Sequence, residues 1–210
     1  MNITKIAEDY VSGHPSIADC LRKRLLNYSA LSRQVLREHK LGSEHFDAVL
    51  IACRRYAYKI RRQQPREDAI RTIIARNKVE VRNKIIVAVL EKPGVFGDLL
   101  ELEKKARTAG ELFYIIEGSA TVTLVTVEDF ADHVQARFKD SIAKLKSGLA
   151  LVMIRSPREI ETVSGVLSFM TTLFAERGIN ILENMSCWTD TLFVIEEKDV
   201  GAVIGALNIR

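Results

Sequence analysis

The chain lacks most of the features by which a sequence announces a chemistry. It has 3 cysteines in 210 residues. Cys20, Cys53 and Cys187 lie far apart, form no C-x-x-C pair and have no zinc-ligand spacing. They read as small apolar side chains for a core rather than as a redox or metal set. No apolar run approaches the ~20 residues a membrane-crossing helix needs. The opening MNITKIAEDYVSGH has no basic patch followed by an apolar stretch, so it does not read as a signal peptide, and a cytoplasmic location is expected. No G-x-G-x-x-G, Walker loop, H-E-x-x-H or G-x-S-x-G occurs. His14, His39, His45 and His133 are scattered, and none flanks a nucleophile or metal partner. Paired carboxylates at Glu128-Asp129 and Glu196-Glu197 fall at expected helix starts, where the helix dipole accounts for them. The expectation is a protein that is not an enzyme and carries no cofactor or metal.

What is present is a chain that can bury a core, with 47% hydrophobic and 28% charged residues. Charge is divided unevenly. Residues 1–80 hold 16 Lys and Arg against 9 Asp and Glu; residues 81–210 hold 15 against 18. A basic front on a slightly acidic body suggests a segregated partner such as nucleic acid.

The front reads as helical. Asn2 or Thr4 can cap a first helix through Val11, broken by Ser12-Gly13-His14-Pro15. Ser16 can cap a second, with Ile17, Cys20, Leu21 and Leu25 inward. Asn27 or Ser29 can start a third, with Leu31, Val35 and Leu36 at helical spacing and Gly42 as the left-handed residue past its end. A fourth starts near Ser43 and carries Phe46, Val49, Leu50, Cys53, Ala57 and Ile60 as one stripe. A short connecting helix over 66–77 completes a helical domain at residues 1–77.

Helices two and three are short, and their link is tight, which is compatible with a helix-turn-helix. In that arrangement Tyr28, Ser29, Ser32 and Arg33 face DNA. Arg22, Lys23, Arg24 and Arg37 bind phosphates, with Arg54, Arg55, Lys59, Arg61 and Arg62 as a further patch. The competing reading is a helical bundle whose basic faces are solvated and whose role is dimerisation or docking.

From residue 78 the periodicity changes to β-branched residues at intervals of mostly two, which is strand character. Lys84–Glu91 reads as a strand, Lys92-Pro93-Gly94-Val95 as a turn and 96–107 as a helix. Strands at 112–116 and 121–126 and a helix at 127–138 follow. A second copy begins after a polar linker over 139–147. It has a strand at 149–155, a helix opened by Ser164-Gly165-Val166, a turn at Gly178, two strands and a final helix cap. The domains expected are 78–140 and 147–210, each strand, helix, strand, strand, helix. A repeated pattern is better support than either copy alone, because the copies can pair.

The Ser164-Gly165-Val166 turn, the run Ala175-Glu176-Arg177-Gly178-Ile179-Asn180-Ile181 and the closing Phe193-Val194-Ile195 resemble the ACT family of small regulatory domains, the aspartokinase type in particular. The resemblance implies α+β, ferredoxin-like domains with antiparallel sheets and two helices on one face. It also implies a small effector, such as an amino acid, bound between paired domains, and a homodimer or larger homo-oligomer. Carried onto this sequence, the effector contacts are Ser164, Gly165, Val166, Asn180 and Ile181 in the second copy. In the first they are Pro93, Gly94, Val95, Phe96 and Asp98, with Asp98 receiving a ligand ammonium. The first copy has ELFYII in place of the family's Gly-Ile-Asn run, and the second has Ser where Pro is usual. The plain alternative is that these glycines serve tight turns alone and the domains only dimerise. Two functions remain open: an effector-responsive DNA-binding regulator, and a ligand-binding or scaffolding subunit that acts on a partner enzyme.

Overall fold

A computed structural model describes residues 2–61, 66–92 and 94–207. The chain divides into two compact units, Met1–Pro65 and Arg66–Arg210.

The first unit is all helix: α1 (Ile3–Gly13), α2 (Pro15–Arg22), α3 (Tyr28–Glu38) and α4 (Phe46–Arg61), the last entered through a 3-10 turn at Ser43–His45. Asn2 caps α1, its side chain accepting from the Lys5 amide. Asn27 caps α3, accepting from the amides of Ser29 and Ala30. Two expectations about helix ends are corrected. Helix α2 starts with Pro15 at its first position and His14 before it, not with a Ser16 cap, because proline's fixed φ suits a helix start. The left-handed residue after α3 is Lys40 (φ 51°), and Gly42 is extended (φ −70°). Arg24 (φ 60°) ends α2 in the same way, with Leu25 N donating to Cys20 O. That turn carries Leu25 off the inward face, and it is 74% exposed. Tyr10, Val11, Leu21, Leu31, Val35, Val49, Cys53, Ala57 and Ile60 form this unit's core.

The second unit is built on one antiparallel sheet. Its elements are α5 (Arg66–Ala75), β1 (Lys78–Glu91), α6 (Phe96–Thr108), β2 (Phe113–Glu117), β3 (Thr121–Val127), α7 (Ala131–Phe138), β4 (Ile142–Arg155), α8 (Val166–Ala175), β5 (Glu183–Cys187), β6 (Asp190–Glu196) and α9 (Val200–Leu207). The strand order is β2-β3-β1-β4-β6-β5. Each copy supplies three strands, and the sheet is continuous because the long β1 and β4 pair along both their halves. The first half of β4 faces the half of β1 that belongs to copy one; the first half of β1 faces the half of β4 that belongs to copy two. The expected polar linker is therefore partly strand. In residues 142–147 a register shift against β1 lets Ile142 and Leu145, three apart, both pack against the first copy's core, with Lys144 exposed.

Strands β1 and β4 are apolar on both faces. Ile86, Ala88 and Leu90 meet Leu99, Leu102, Ala106, Val134 and Phe138 under α6 and α7. Ala150, Val152 and Ile154 meet Met170, Phe174, Val203 and Leu207 under α8 and α9. Ile85, Val87, Leu149 and Leu151 form a third cluster on the sheet's other face with Val125, Leu192 and Val194, and the sheet is curled. A strand buried on two faces reads as an unbroken apolar run, which is why IIVAVL and LALVMI have that character. Helix α5 packs Ile70, Ile73 and Ile74 into the second copy's core. It belongs with the sheet, not with the helical domain drawn to residue 77, and it gives the second copy a third helix.

The copies lock each other at matching points. Lys84 (φ 56°) and Gly148 (φ 70°) sit left-handed beside irregularities in the β1–β4 register. The Lys84 amide donates to Glu197 Oε1 at 2.6 Å, and the Gly148 amide to Glu128 Oε1 at 3.0 Å. Each carboxylate comes from the 3-10 turn after the last strand of the opposite copy. One left-handed site uses glycine and the other a lysine. A Cβ at Gly148 meets nothing within 4 Å, so a substitution there is opposed by backbone strain alone. Gly148→Ala is therefore expected to cost about 1 kcal/mol, and Lys84→Gly to gain up to about 1 kcal/mol. Urea denaturation of both variants reads the difference; a neutral Gly148→Ala would contradict the left-handed bulge.

Candidate functional site

The two helix-opening turns share one backbone geometry. Gly94 and Gly165 both have φ 98°. Neither α6 nor α8 has a side-chain cap on its first turn. Each therefore presents unpartnered N–H groups and the positive end of a helix dipole at a glycine. Their surroundings differ.

In the first copy a Cβ on Gly94 meets nothing within 4 Å. Val95, the N-cap of α6, is buried, while Phe96 is 40% exposed. Lys92 Nζ lies 5.6 Å from the Phe96 ring centroid, pairs with Glu117 Oε1 and donates to Gly118 O at 2.9 Å. Lys92 and Glu117 thus bring both charge signs to the strand ends beside this turn. Sequence reading missed them, although Lys92 stands two residues before Gly94. Pro93 lies outside the described residues. Asp98 is in the first turn of α6, but it accepts from Arg137 Nε at 2.8 Å. Asp98 and Glu101 together hold the Arg137 guanidinium more firmly protonated. The carboxylate expected to receive an ammonium already has a cation. It lines a surface groove of about 390 Å³ between α6 and α7 with Lys105 and His133, away from the role assigned to it.

In the second copy Ser164 and Gly165 are exposed and Val166 is buried at the head of α8. A Cβ on Gly165 would stand 3.3 Å from Ile70 Cδ1, so α5 packs beside this turn. Asn180 is exposed, and Ile181 packs against the second core. Both precede β5, which starts at Glu183, so they are not the first strand residues. Only Gly165 and Val166 of that set share the turn with Ser164.

In the helical unit Ser32 corrects the DNA-facing expectation. It is 0% exposed, and its hydroxyl donates to the Tyr28 carbonyl at 2.8 Å. Tyr28 faces α4: its hydroxyl accepts from Arg61, and the Arg54 guanidinium stands 5.8 Å from its ring centroid. Arg22 pairs with Asp19, and Lys59 with Glu8 at 3.8 Å. Ser29 is half-buried, and Arg24, Arg33, Arg54 and Arg55 are exposed; Lys23 is exposed and already engaged. Arg62 lies outside the described residues. The structure thus brings Tyr28, Arg54 and Arg61 together and leaves Arg33 and Arg55 on exposed helix surface. Among the described residues no group of three or more His, Cys, Asp and Glu could hold a metal ion, and no helix is long and apolar enough to cross a membrane.

No family model matches the chain, and no curated protein matches it. Solved structures do. Aspartate kinase from Clostridium acetobutylicum aligns with a TM-score of 0.51 at 16% identity, over 62% of this chain and 34% of its own. This chain thus matches about a third of that enzyme's length. The ligand-free regulatory subunit of aspartate kinase from Thermus thermophilus aligns with a TM-score of 0.49 at 17% identity, over 61% of this chain and 92% of its own. A Vibrio cholerae protein of unknown function, described as a possible transport protein, gives 0.48 at 15% identity over 67% and 94%. At these identities the likeness is one of fold. That fold is the ACT-type fold of aspartokinase regulatory domains, here in two copies that share one sheet.

Proposed function

We propose that this protein is a non-enzymatic, ligand-responsive cytoplasmic regulator. Its sheet unit binds an amino acid or a related metabolite at an ACT-type turn, and its basic helical unit delivers the output. The observation that carries this reading is the open turn at Gly94, where an uncapped α6 N-terminus stands with Lys92 and Glu117 close by. A ligand carboxylate suits the uncapped helix end, and because Lys92 and Glu117 already pair with each other, a zwitterion would take them by exchanging that exposed ion pair for its own two charges. The unpaired outer edges of β2 and β5 favour a homodimer. The effector-binding role of this fold's turns supports the reading by analogy only.

A thermal-shift screen against the twenty amino acids tests it. A ligand at a hundred times its dissociation constant adds about 2.7 kcal/mol to the native state. One or two related amino acids are expected to give that shift, and Lys92→Met is expected to reduce it strongly. No shift with any amino acid would sink the amino-acid reading.

For the output, the exposed Arg54 and Arg55 favour nucleic acid. Duplex binding is expected to weaken with salt and to fall in the Arg54→Ala, Arg55→Ala double variant. The second reading is a docking subunit for a partner enzyme, which the exposed Leu25, Ile51 and Tyr58 of the helical unit favour. It predicts no duplex binding and a partner recovered by pull-down.

A further inference from the structure

The groove between α6 and α7 has a volume of about 390 Å³, within the roughly 300–1,000 Å³ of small-molecule sites. Its charges fall at opposite ends. At one end Asp98 and Glu101 of α6 both pair with Arg137 of α7, Asp98 at 2.8 Å. Two carboxylates share one guanidinium, which leaves one negative charge unanswered. At the other end Lys105 Nζ donates to His133 Nε2 at 2.8 Å, and among the described residues Lys105 joins no carboxylate. An ammonium that donates to an imidazole nitrogen keeps its full positive charge. Between the two ends Leu102 and Ala136 give the groove an apolar stretch. Helices α8 and α9, which cover the second copy, contain no charged residue, so this pattern belongs to the first copy alone.

We propose that this groove binds a small molecule with an ammonium at one end of a short apolar chain and a carboxylate at the other. A groove with separated charges that sum to zero is matched by a ligand of the same kind. A simple anion or cation is attracted at one end and repelled at the other. The helix sets the length. At about 1.5 Å per residue, Lys105 stands roughly 6 Å along α6 from Glu101 and roughly 10 Å from Asp98. The α-ammonium and α-carboxylate of an amino acid are too close together to reach both ends, whereas an ω-amino acid of about six carbons spans the shorter distance. Its carboxylate takes the Lys105 ammonium, and its own ammonium takes the carboxylate oxygens that Arg137 leaves free. Both ends are exposed, so each contact is weak, and a dissociation constant of about 1 mM is expected. The site is separate from the turn at Gly94 and does not depend on it.

The isomers 6-aminohexanoate and norleucine test the charge spacing directly, because they have the same composition. The full-length chain, labelled in its histidine rings, is titrated by NMR at constant ionic strength, with His133 as the reporter inside the groove. With 6-aminohexanoate the His133 signals are expected to shift saturably, while those of His14, His39 and His45 stay in place. Norleucine, hexanoate and hexylamine should bind at least tenfold more weakly. Lys105→Met and the Asp98→Asn, Glu101→Gln double variant should each weaken 6-aminohexanoate at least tenfold. These side chains are exposed, so the circular dichroism of both variants should match the wild type. Lys92→Met should leave binding unchanged. No saturable shift with 6-aminohexanoate, equal binding of norleucine or hexanoate, or wild-type binding by Lys105→Met overturns the proposal. Binding lost in Lys92→Met but kept in Lys105→Met would put the ligand at the Gly94 turn instead, so the two sites fail separately.

Discussion

Phe193→Ala is expected to remove about 3–5 kcal/mol from the stability of the sheet unit, among the largest losses available from a single truncation in this chain. Phe193 is fully buried on β6, opposite Val152 of β4, and points to the helix side of the sheet. Its ring meets Phe174 of α8 edge to face, with centroids 5.1 Å apart and planes at 78°. Truncation removes the buried ring area and leaves a cavity between sheet and helix. It also forfeits an aromatic pair of about 1 kcal/mol. Neighbours on both sides are fixed by the strand register and by α8, so collapse into the cavity is limited. Urea denaturation should show a lower midpoint at an unchanged slope. A loss below about 1 kcal/mol would mean that α8 does not pack on β6 in this way. Phe193→Leu, which keeps much of the volume, should recover a large part of the loss.

The same residues explain how much of the fold could be read beforehand. Phe193-Val194-Ile195 and the runs around Ile85 and Leu149 have no polar alternation, and their β-branched character made strands legible. The order of elements and the repeat followed from the turns at Gly94, Gly165 and Gly178, all of which are left-handed. Residues 142–147 were not legible as strand. Lys144 stands between Ile142 and Leu145 and Lys146 follows them, and a half-solvated strand of that kind resembles a linker until its partner is known. The attachment of α5 was hidden for the same reason: its apolar face is covered by the second copy's core, far along the chain. At the site, the glycines were found because a backbone conformation leaves a residue-type signature. Lys92 and Glu117 were missed because an ion pair between the ends of different strands leaves none.

Ser32→Arg is expected to destabilise the helical unit by more than about 3 kcal/mol, and this separates two readings of α3. If Ser32 lay on a DNA-reading face, an added arginine would strengthen duplex binding and leave folding alone. The structure places Ser32 at 0% exposure between Leu31 and Val35 on the same inward side, one turn after Tyr28. Leu31, Ser32, Val35 and Leu36 make the buried stripe of α3, spaced 1, 3 and 1 apart as one helix face requires. A polar residue on that stripe was read as outward because serine is usually exposed. Its hydroxyl is accommodated here by donating to the Tyr28 carbonyl one turn earlier, a bond that serine can make inside a helix without a partner from elsewhere. Arginine has no such option, and an unpaired charge in that core costs several kcal/mol. Ser32→Ala keeps the shape and removes only that local bond, so it should cost no more than about 1 kcal/mol. Circular dichroism and urea denaturation of the two variants decide the matter. A folded, stable Ser32→Arg would return α3 to the surface and revive the original assignment. A folded Ser32→Ala beside an unfolded Ser32→Arg would confine any nucleic-acid contact of α3 to its outward residues, Ser29 and Arg33.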